Sequence, residues 1–176
     1  MKLFVVGPPI PQPFCAWYVC EMQAEGILGR AVAAMVRRTV RARFRSVWWR
    51  PSDAERVPAP PVIFVANHHG WHDGYLMYHL VERLGTRSLD WIQEFEAFPL
   101  FRTIGGLPFP MDRPEARAAT IRKTIRLMRD EKRSLVLFAE GVLHQAPETL
   151  PFGRALTTVA QAVPGCSVVP VGFRYR

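Results

Sequence analysis

The stretch VIFVANHHGWHDGYLMYHL, residues 62–80, decides the fold and carries the first candidate chemistry. Residues 62–66 form a continuous apolar run, which is typical of a strand buried on both faces. A helix is expected from Asp73 to about Leu84. Between the strand and the helix, three histidines and an aspartate lie within the six positions 68–73. The stretch therefore predicts a buried strand, a polar turn and a helix.

The rest of the chain repeats this alternation. Further strands are predicted at 88–93, 134–141 and 167–174. Further helices are predicted at 115–132, with Pro114 at the helix start, and at 154–162. Strands that alternate with helices predict an α/β fold in which helices flank a mostly parallel mixed sheet. In such sheets ligands bind beyond the carboxyl ends of the strands, where both His68 and Glu140 are expected.

The N-terminal segment has a different pattern, and two interpretations of it stay open. From about residue 13 to residue 45 the pattern is helical, with one apolar side. The residues of that side are Leu28, Val32, Met35, Val36, Val40 and Phe44. In one interpretation the helix lies on anionic lipid, with its arginines and the tryptophans at 17, 48 and 49 in the headgroup zone. In the other it packs on the domain and its arginines are solvated. The predicted division is a membrane-surface helical segment, 1–46, followed by an α/β domain, 47–176.

The charge of the chain limits the kinds of binding partner that are expected. The chain has 176 residues, a formal net charge of +8 and a pI near 10.1, which indicates an anionic partner. Nucleic acid is disfavoured because no recognised motif or aromatic–basic platform is present, which leaves an anionic membrane or an acidic carrier protein. The long uncharged runs 3–20 and 155–173 contain prolines, so we expect neither a transmembrane helix nor a signal peptide. Three cysteines without a paired framework indicate a reduced, cytoplasmic protein.

Three roles are open to the histidines. His68 and His72 have the i, i+4 spacing of two metal ligands, but the rest of the chain offers only His79 and His144 and no second cluster. Alternatively, one histidine acts as a general base and Asp73 fixes its tautomer, the logic of a catalytic triad without a serine. The third role is structural, and it suits His69 and His72 best.

A resemblance then favours the general base. NHHGWHD, residues 67–73, resembles the Asn-His-x4-Asp motif of the glycerolipid O-acyltransferases, the lysophosphatidate acyltransferase family. Four more blocks resemble that family in the expected order, within a similarity that spans about 47–174. They are GLPFPMDR (106–113), LFAEG (137–141), LPFGRA (150–155) and VVPVGF (168–173).

The resemblance implies an O-acyltransferase that moves a fatty acyl group from acyl-CoA or acyl carrier protein to a hydroxyl of a lipid acceptor such as a lysophospholipid. His68 would be the base and Asp73 its partner, with no metal and no cofactor beyond the thioester co-substrate. Arg113 would bind the phosphate of the acceptor. The other substrate-binding residues that the resemblance implies are Asn67, Phe109, Glu140 and Gly141. The implied location is peripheral, on the cytoplasmic face of the membrane.

Departures from the family pattern leave alternatives open. Glu140-Gly141 is usually followed by Thr-Arg-Ser, but here Val142, Leu143 and His144 follow. The lost arginine favours a non-phosphorylated lipid alcohol or glycolipid, or a non-catalytic lipid-binding relative. The block that ends at Arg113 also carries one extra residue. HHGWHDG, residues 68–74, further resembles the His-His-x3-Asp-Gly signature of condensation domains, in which His69 would be the base; that function is also acyl transfer.

Overall fold

The computed structural model describes residues 2–7, 26–51, 58–144, 148 and 150–175. Within these ranges the chain forms seven strands, four α-helices and two 3₁₀ turns. The strands are β1 (Lys2–Gly7), β2 (Ser46–Pro51), β3 (Val62–Ala66), β4 (Ser88–Ile92), β5 (Gly106–Pro108), β6 (Ser134–Leu137) and β7 (Ser167–Tyr175). The helices are α1 (Gly26–Arg43), α2 (Asp73–Arg83), α3 (Pro114–Glu131) and α4 (Ala155–Ala162), and the 3₁₀ turns are Phe95–Ala97 and Pro99–Ile104.

All described strands join one sheet in the order β2-β1-β7-β3-β6-β4-β5. The five strands from β7 to β5 are mutually parallel, whereas β1 runs antiparallel to β7 and parallel to β2. The predicted mostly parallel mixed sheet flanked by helices is confirmed. Strand β6 is shorter than the predicted 134–141, because the chain turns at residues 138–141, where Gly141 N–H donates to the carbonyl of Phe138 at 3.0 Å.

Two strands near the N-terminus were not predicted. The partner of β1 is β7, and Leu3 lies opposite Tyr175, so the pairing joins opposite ends of the described chain. The other edge of β1 pairs with β2, where Lys2 lies opposite Ser46. Because such pairing is stabilised by distant segments, local periodicity does not reveal it. Residues 13–25 of the predicted N-terminal helix lie outside the described residues, and the helix that is described begins at Gly26.

Each face of the sheet carries its own core. On one face, α1 and α2 cover alternate residues of the central strands, including Phe64 and Val136. On the other face, α3 and α4 cover the intervening residues, including Ile63 and Leu135. We call these faces the α2 side and the α3–α4 side. This alternation follows from the two-residue period of a strand and predicts the side on which each residue at the carboxyl edge lies.

Helix α1 packs much of its apolar side on the domain. Val36, Val40 and Phe44 are buried, whereas Leu28 and Met35 are exposed. Val40 and Phe44 belong to the same core cluster as residues of β3 and α2. This packing is the one that the second interpretation expects, except that Arg37 is paired with Glu82 at 3.1 Å rather than solvated. The membrane-surface location and the division between residues 46 and 47 stay predictions. No helix in the described ranges combines the length and apolar character needed to cross a bilayer.

Gly105 fixes the edge of the sheet that lies beside the site. Its φ is +100°, and a Cβ atom on it would lie 2.1 Å from the carbonyl oxygen of Ser88. A larger residue would therefore force β5 away from β4. The close approach lets Asp90 N–H donate to the Gly105 carbonyl at 3.1 Å.

Candidate active site

The turn between β3 and α2 is organised around the carboxylate of Asp73, which is completely buried at the first position of α2. Its Oδ2 accepts hydrogen bonds from the main-chain N–H groups of His69 and Gly70, both at 2.8 Å. The same oxygen lies 3.1 Å from Nδ1 of His68, while Oδ1 accepts a hydrogen bond from the hydroxyl of Tyr175. Four hydrogen-bonding groups around one carboxylate hold the anion in place.

The hydrogen bond to Asp73 determines which ring nitrogen of His68 carries the proton. A carboxylate next to Nδ1 favours the tautomer that carries its proton there, which leaves the lone pair of Nε2 as an acceptor. The ring stacks on Phe138, with 4.3 Å between centroids and 24° between planes. The side chain is 25% exposed and lines a cavity. An imidazole held in this way can accept a proton from a hydroxyl that enters the cavity.

The cavity has a volume of about 720 Å³, which lies within the range of roughly 300–1,000 Å³ for small-molecule sites. It follows the carboxyl edge of the sheet and is lined by residues of both faces. On the α2 side the lining includes Val36, Tyr75, Tyr78, Asp90, Phe101 and Ile104. On the α3–α4 side it includes Trp91, Phe109, Met111, Arg117, Arg154 and Leu156. The lining is therefore largely apolar, as expected for a site that holds a hydrocarbon chain.

The sequence-predicted residues divide into those at the cavity and those behind it. Phe109 lines the cavity and stacks on Trp91, with 4.3 Å between centroids and 8° between planes. Asn67 does not line it. Its Nδ2 donates to the carbonyl of Phe173 at 3.1 Å, and its Oδ1 accepts from the N–H of Phe173 at 2.7 Å. Asn67 thus attaches the end of β3 to β7.

Glu140 and Gly141 shape the loop that faces the histidines. Glu140 is almost fully buried and accepts a hydrogen bond from Nε2 of His144. His144 N–H donates to the carbonyl of His68 at 3.0 Å, so these two hydrogen bonds attach the loop to the turn. Gly141 lines the cavity with φ +74°, and its carbonyl accepts a hydrogen bond from Gln93 at 3.0 Å. Glu140 is not a lining residue, so its contacts support the loop rather than the wall of the cavity.

Arg113 and its neighbours show which cations reach the cavity. Arg113 is 59% exposed, lies 3.8 Å from Glu96 and 3.9 Å from Asp112, and does not line the cavity. Arg117 and Arg154 do line it, on the α3–α4 side. Neither Arg117 nor Arg154 is among the substrate-binding residues that the resemblance implied. The four-residue spacing from Arg113 to Arg117 was the available signal, because such residues share a helix face.

Comparison with known proteins identifies the family. Residues 50–174 match the model of the family described as Acyltransferase. This chain belongs to that family. Its fold is also similar to the 1-acyl-sn-glycerophosphate (LPA) acyltransferase PlsC from Thermotoga maritima, with 14% identity and a TM-score of 0.42. The similarity covers 67% of this chain and 55% of that enzyme, so the chain spans little more than half of its length. Among curated proteins no significant match was found.

The other two histidines of the turn are engaged elsewhere in this acyltransferase. Nδ1 of His69 lies 2.8 Å from the carbonyl of His144. His72 packs edge-on against Phe44 and Tyr75, and burial, followed by the charge of Arg43, lowers its pKa. Neither lines the cavity, whereas His68 does. Across the described part of the chain, no three His, Cys, Asp or Glu side chains are grouped as metal ligands.

Sequence reasoning missed Asp90, an acidic residue that lines the cavity. Asp90 lies in β4 and faces the α2 side, where its Oδ2 is 3.5 Å from the position that a Cβ on Gly74 would occupy. Burial raises the pKa of Asp90 to about 7, although the N–H of Trp91 donates to the carboxylate and lowers it. The available signal was a single acid among apolar residues near the carboxyl end of a strand.

Proposed function

We propose that this acyltransferase moves a fatty acyl group from an acyl thioester to the hydroxyl of a lipid acceptor, with His68 as the general base. One observation carries the proposal. The His68 ring forms part of the wall of an apolar cavity, and its Nδ1 lies 3.1 Å from the completely buried carboxylate of Asp73. Such a pair activates an alcohol by removing its proton.

The reaction proceeds in two steps. As the acceptor oxygen attacks the thioester carbonyl, Nε2 of His68 takes the hydroxyl proton, and Asp73 stabilises the imidazolium that forms. The tetrahedral intermediate then collapses, the carbon–sulfur bond breaks, and the imidazolium returns the proton to the departing thiolate. The products are an ester and a free thiol, so the chemistry requires neither a metal nor a cofactor. General-base catalysis of this kind typically contributes about 10²–10⁴-fold in rate.

The cationic part of the cavity supports a substrate that carries phosphate. Arg117 and Arg154 line the α3–α4 side, and a guanidinium group suits phosphate recognition. The phosphate would belong to the donor, as acyl-CoA or acyl carrier protein, or to an acceptor such as a lysophospholipid. Arg113, more exposed and outside the cavity, would act on approaching anions rather than on the bound substrate.

A non-phosphorylated acceptor is supported by a second observation. Val142 and Leu143, which stand where the family usually has Thr-Arg, line the cavity and are 52% and 49% exposed. Apolar groups at these positions favour contact with lipid chains. A lipid alcohol or glycolipid is the alternative acceptor.

We further propose that the cavity opens toward a membrane surface on the cytoplasmic side. Several lining residues are both apolar and exposed, namely Trp71, Met111, Val142 and Leu143. A tryptophan suits the headgroup zone, and the net charge of +8 favours an anionic leaflet. Binding in this orientation would let lipid substrates enter without crossing water.

The test is mass spectrometry of the lipids formed when the purified protein meets mixed acyl thioesters with a panel of lysolipids and lipid alcohols. An acylated product is expected from the wild type and not from His68→Ala. Loss of product in His69→Ala but not in His68→Ala would support the condensation-type mechanism instead. Vesicle binding by a wild type that forms no product would support the non-catalytic, lipid-binding alternative.

A further inference from the structure

Asp90 is an acid without a cationic partner in an apolar part of the cavity. Successive residues of a strand point to opposite faces of the sheet. Trp91 faces the α3–α4 side, where its Nε1 donates to Thr124 at 2.9 Å, so Asp90 faces the α2 side. There it lies against Gly74, the residue that follows Asp73. The carboxyl group is therefore in the same cavity as His68 and next to the turn that holds it.

The surroundings of Asp90 leave its hydrogen-bonding capacity largely unused. The donor to its carboxylate is the main-chain N–H of Trp91, and among the described residues no side chain bonds to it. The α2-side lining includes apolar side chains such as Val36, Phe101 and Ile104. An acid in such a place loses hydration that the protein does not replace.

A second polar group on this side also lacks a partner. The hydroxyl of Tyr78 is buried and makes no hydrogen bond within the described part of the chain, and Tyr78 lines the same cavity one helical turn after Gly74. Polar groups placed singly in an apolar pocket normally orient a ligand. Two such groups on one side of the cavity indicate a ligand that brings its own hydrogen-bonding group there.

We propose that Asp90 accepts a hydrogen bond from a second alcohol hydroxyl of the substrate, distinct from the hydroxyl that is acylated. This inference rests on the proposed function and specifies its substrate class as a hydroxylated lipid. A hydroxyl replaces the lost hydration of the carboxyl, whereas a phosphate at this place would meet a like charge. A site built to bond a hydroxyl discriminates strongly against the analogue that lacks it, because the polar group is then left unpaired.

The hydroxyl has two possible sources, and a pair of substrates tests each one. A long-chain 1,2-diol and the matching 1-alkanol test the acceptor. A 3-hydroxyacyl thioester and the unsubstituted thioester of equal length test the donor. At pH 8, where the Asp90 carboxyl is largely ionised, we expect kcat/KM of the wild type to favour the hydroxylated member of one pair by about tenfold or more, the scale of a hydrogen bond to a charged group. The pair that shows the preference identifies the source.

Variants of Asp90 test whether this residue causes the preference for the hydroxylated substrate. Asp90→Leu should reduce the ratio to within about twofold of unity, and Asp90→Asn, which keeps an acceptor oxygen without the charge, should lower it at least threefold. Asp130→Asn is the matched control, because Asp130 is an exposed acid of α3 outside the cavity. It should keep the full ratio. If Asp90→Leu does not fold, Asp90→Asn decides.

The result that overturns the inference is a wild-type ratio near one in both pairs, or a ratio that Asp90 variants leave unchanged. Binding provides a readout that does not depend on turnover: the preferred hydroxylated lipid should raise the Tm of His68→Ala more than that of the His68→Ala/Asp90→Leu double variant. Acyl transfer without a hydroxyl preference rejects this inference alone. Hydroxyl-dependent binding without acyl transfer rejects the proposed function alone.

Discussion

The two sides of the cavity differ in how their polar groups are held. On the α2 side, His68 and Asp73 form a turn whose carboxylate is completely buried and bonded by main-chain N–H groups. On the α3–α4 side, the charged side chains are Arg117 and Arg154, which are long and keep contact with solvent. Buried, hydrogen-bonded groups set the geometry of a reaction, whereas solvated cations attract and orient an anion. We therefore expect substitutions on the two sides to change different kinetic constants and by different amounts.

The largest effect is expected at His68. His68→Gln keeps a side-chain N–H that can bond to Asp73 but removes the imidazole, so kcat should fall by about 10²–10⁴-fold, while any fall in Tm should not exceed that expected from the loss of one hydrogen bond to this carboxylate. Steady-state kinetics and thermal unfolding of the same preparation measure both quantities. His69→Gln is the matched control, because His69 lies next in the chain but outside the cavity, and it should keep most of the activity. An equal or larger loss in the control would contradict the assignment of the base.

Arg117 and Arg154 should affect binding rather than the chemical step. Replacing both with glutamine should raise the KM for a phosphate-bearing substrate by about tenfold, with kcat nearly unchanged, because each guanidinium contributes a charge-assisted hydrogen bond. Arg113→Gln is the comparison. Its ion pairs are exposed and 3.8–3.9 Å long, so its loss should change KM by less than about threefold. A larger effect at Arg113 would return the phosphate site to the position that the family resemblance implies.

A moderate effect is expected from the hydroxyl that supports Asp73. Tyr175→Phe removes a hydrogen bond to a buried carboxylate, which is worth about 1.5–3 kcal/mol, and each kcal/mol corresponds to about 2–4 °C in Tm for a chain of this size. The Tm should fall by several degrees, and kcat should fall with it. Tyr78→Phe removes a buried hydroxyl that makes no hydrogen bond within the described residues, so it should not lower the Tm. Similar Tm losses in the two variants would show that the Tyr175 hydroxyl has no special role.

A last effect, on stability rather than on rate, is a pH dependence of stability at Asp90. The pKa of this carboxyl is raised by burial from 3.8 to about 7, so between these pH values the folded protein keeps a proton that the unfolded chain has lost. Its contribution to stability therefore falls as the pH rises from about 4 to about 7. Asp90→Asn should raise the Tm more at pH 8 than at pH 4. An equal change at both pH values would contradict the raised pKa.

Local patterns predicted those parts of the fold whose causes are local. The strand at 62–66 and the helix that begins at Asp73 were both predicted, because a continuous apolar run and helical periodicity are patterns of neighbouring residues. Strands β1 and β2 were missed, since their hydrogen bonds come from β7 and from each other across long stretches of chain. The same reason explains Tyr175, whose contact with Asp73 spans 102 positions.

The candidate site shows the same limit in finer detail. The pairing of His68 with Asp73 was predicted because the two residues lie within one turn. The position of Arg113 outside the cavity, and of Arg117 inside it, depends on how α3 leaves β5, which composition does not specify. The sequence around Asp90 predicts only a strand residue, because its position beside the first turn of α2 depends on the tertiary fold.

The dependence of Asp73 on Tyr175 has a consequence for biosynthesis. The turn at residues 67–73 emerges from the ribosome long before β7. The side chains of Asn67 and Asp73 form hydrogen bonds with residues of that strand, Phe173 and Tyr175. A nascent chain, or one cut before β7, carries the histidine and the aspartate without the alignment that makes them reactive. Under the proposed function, catalysis would therefore require β7 to be paired in the sheet.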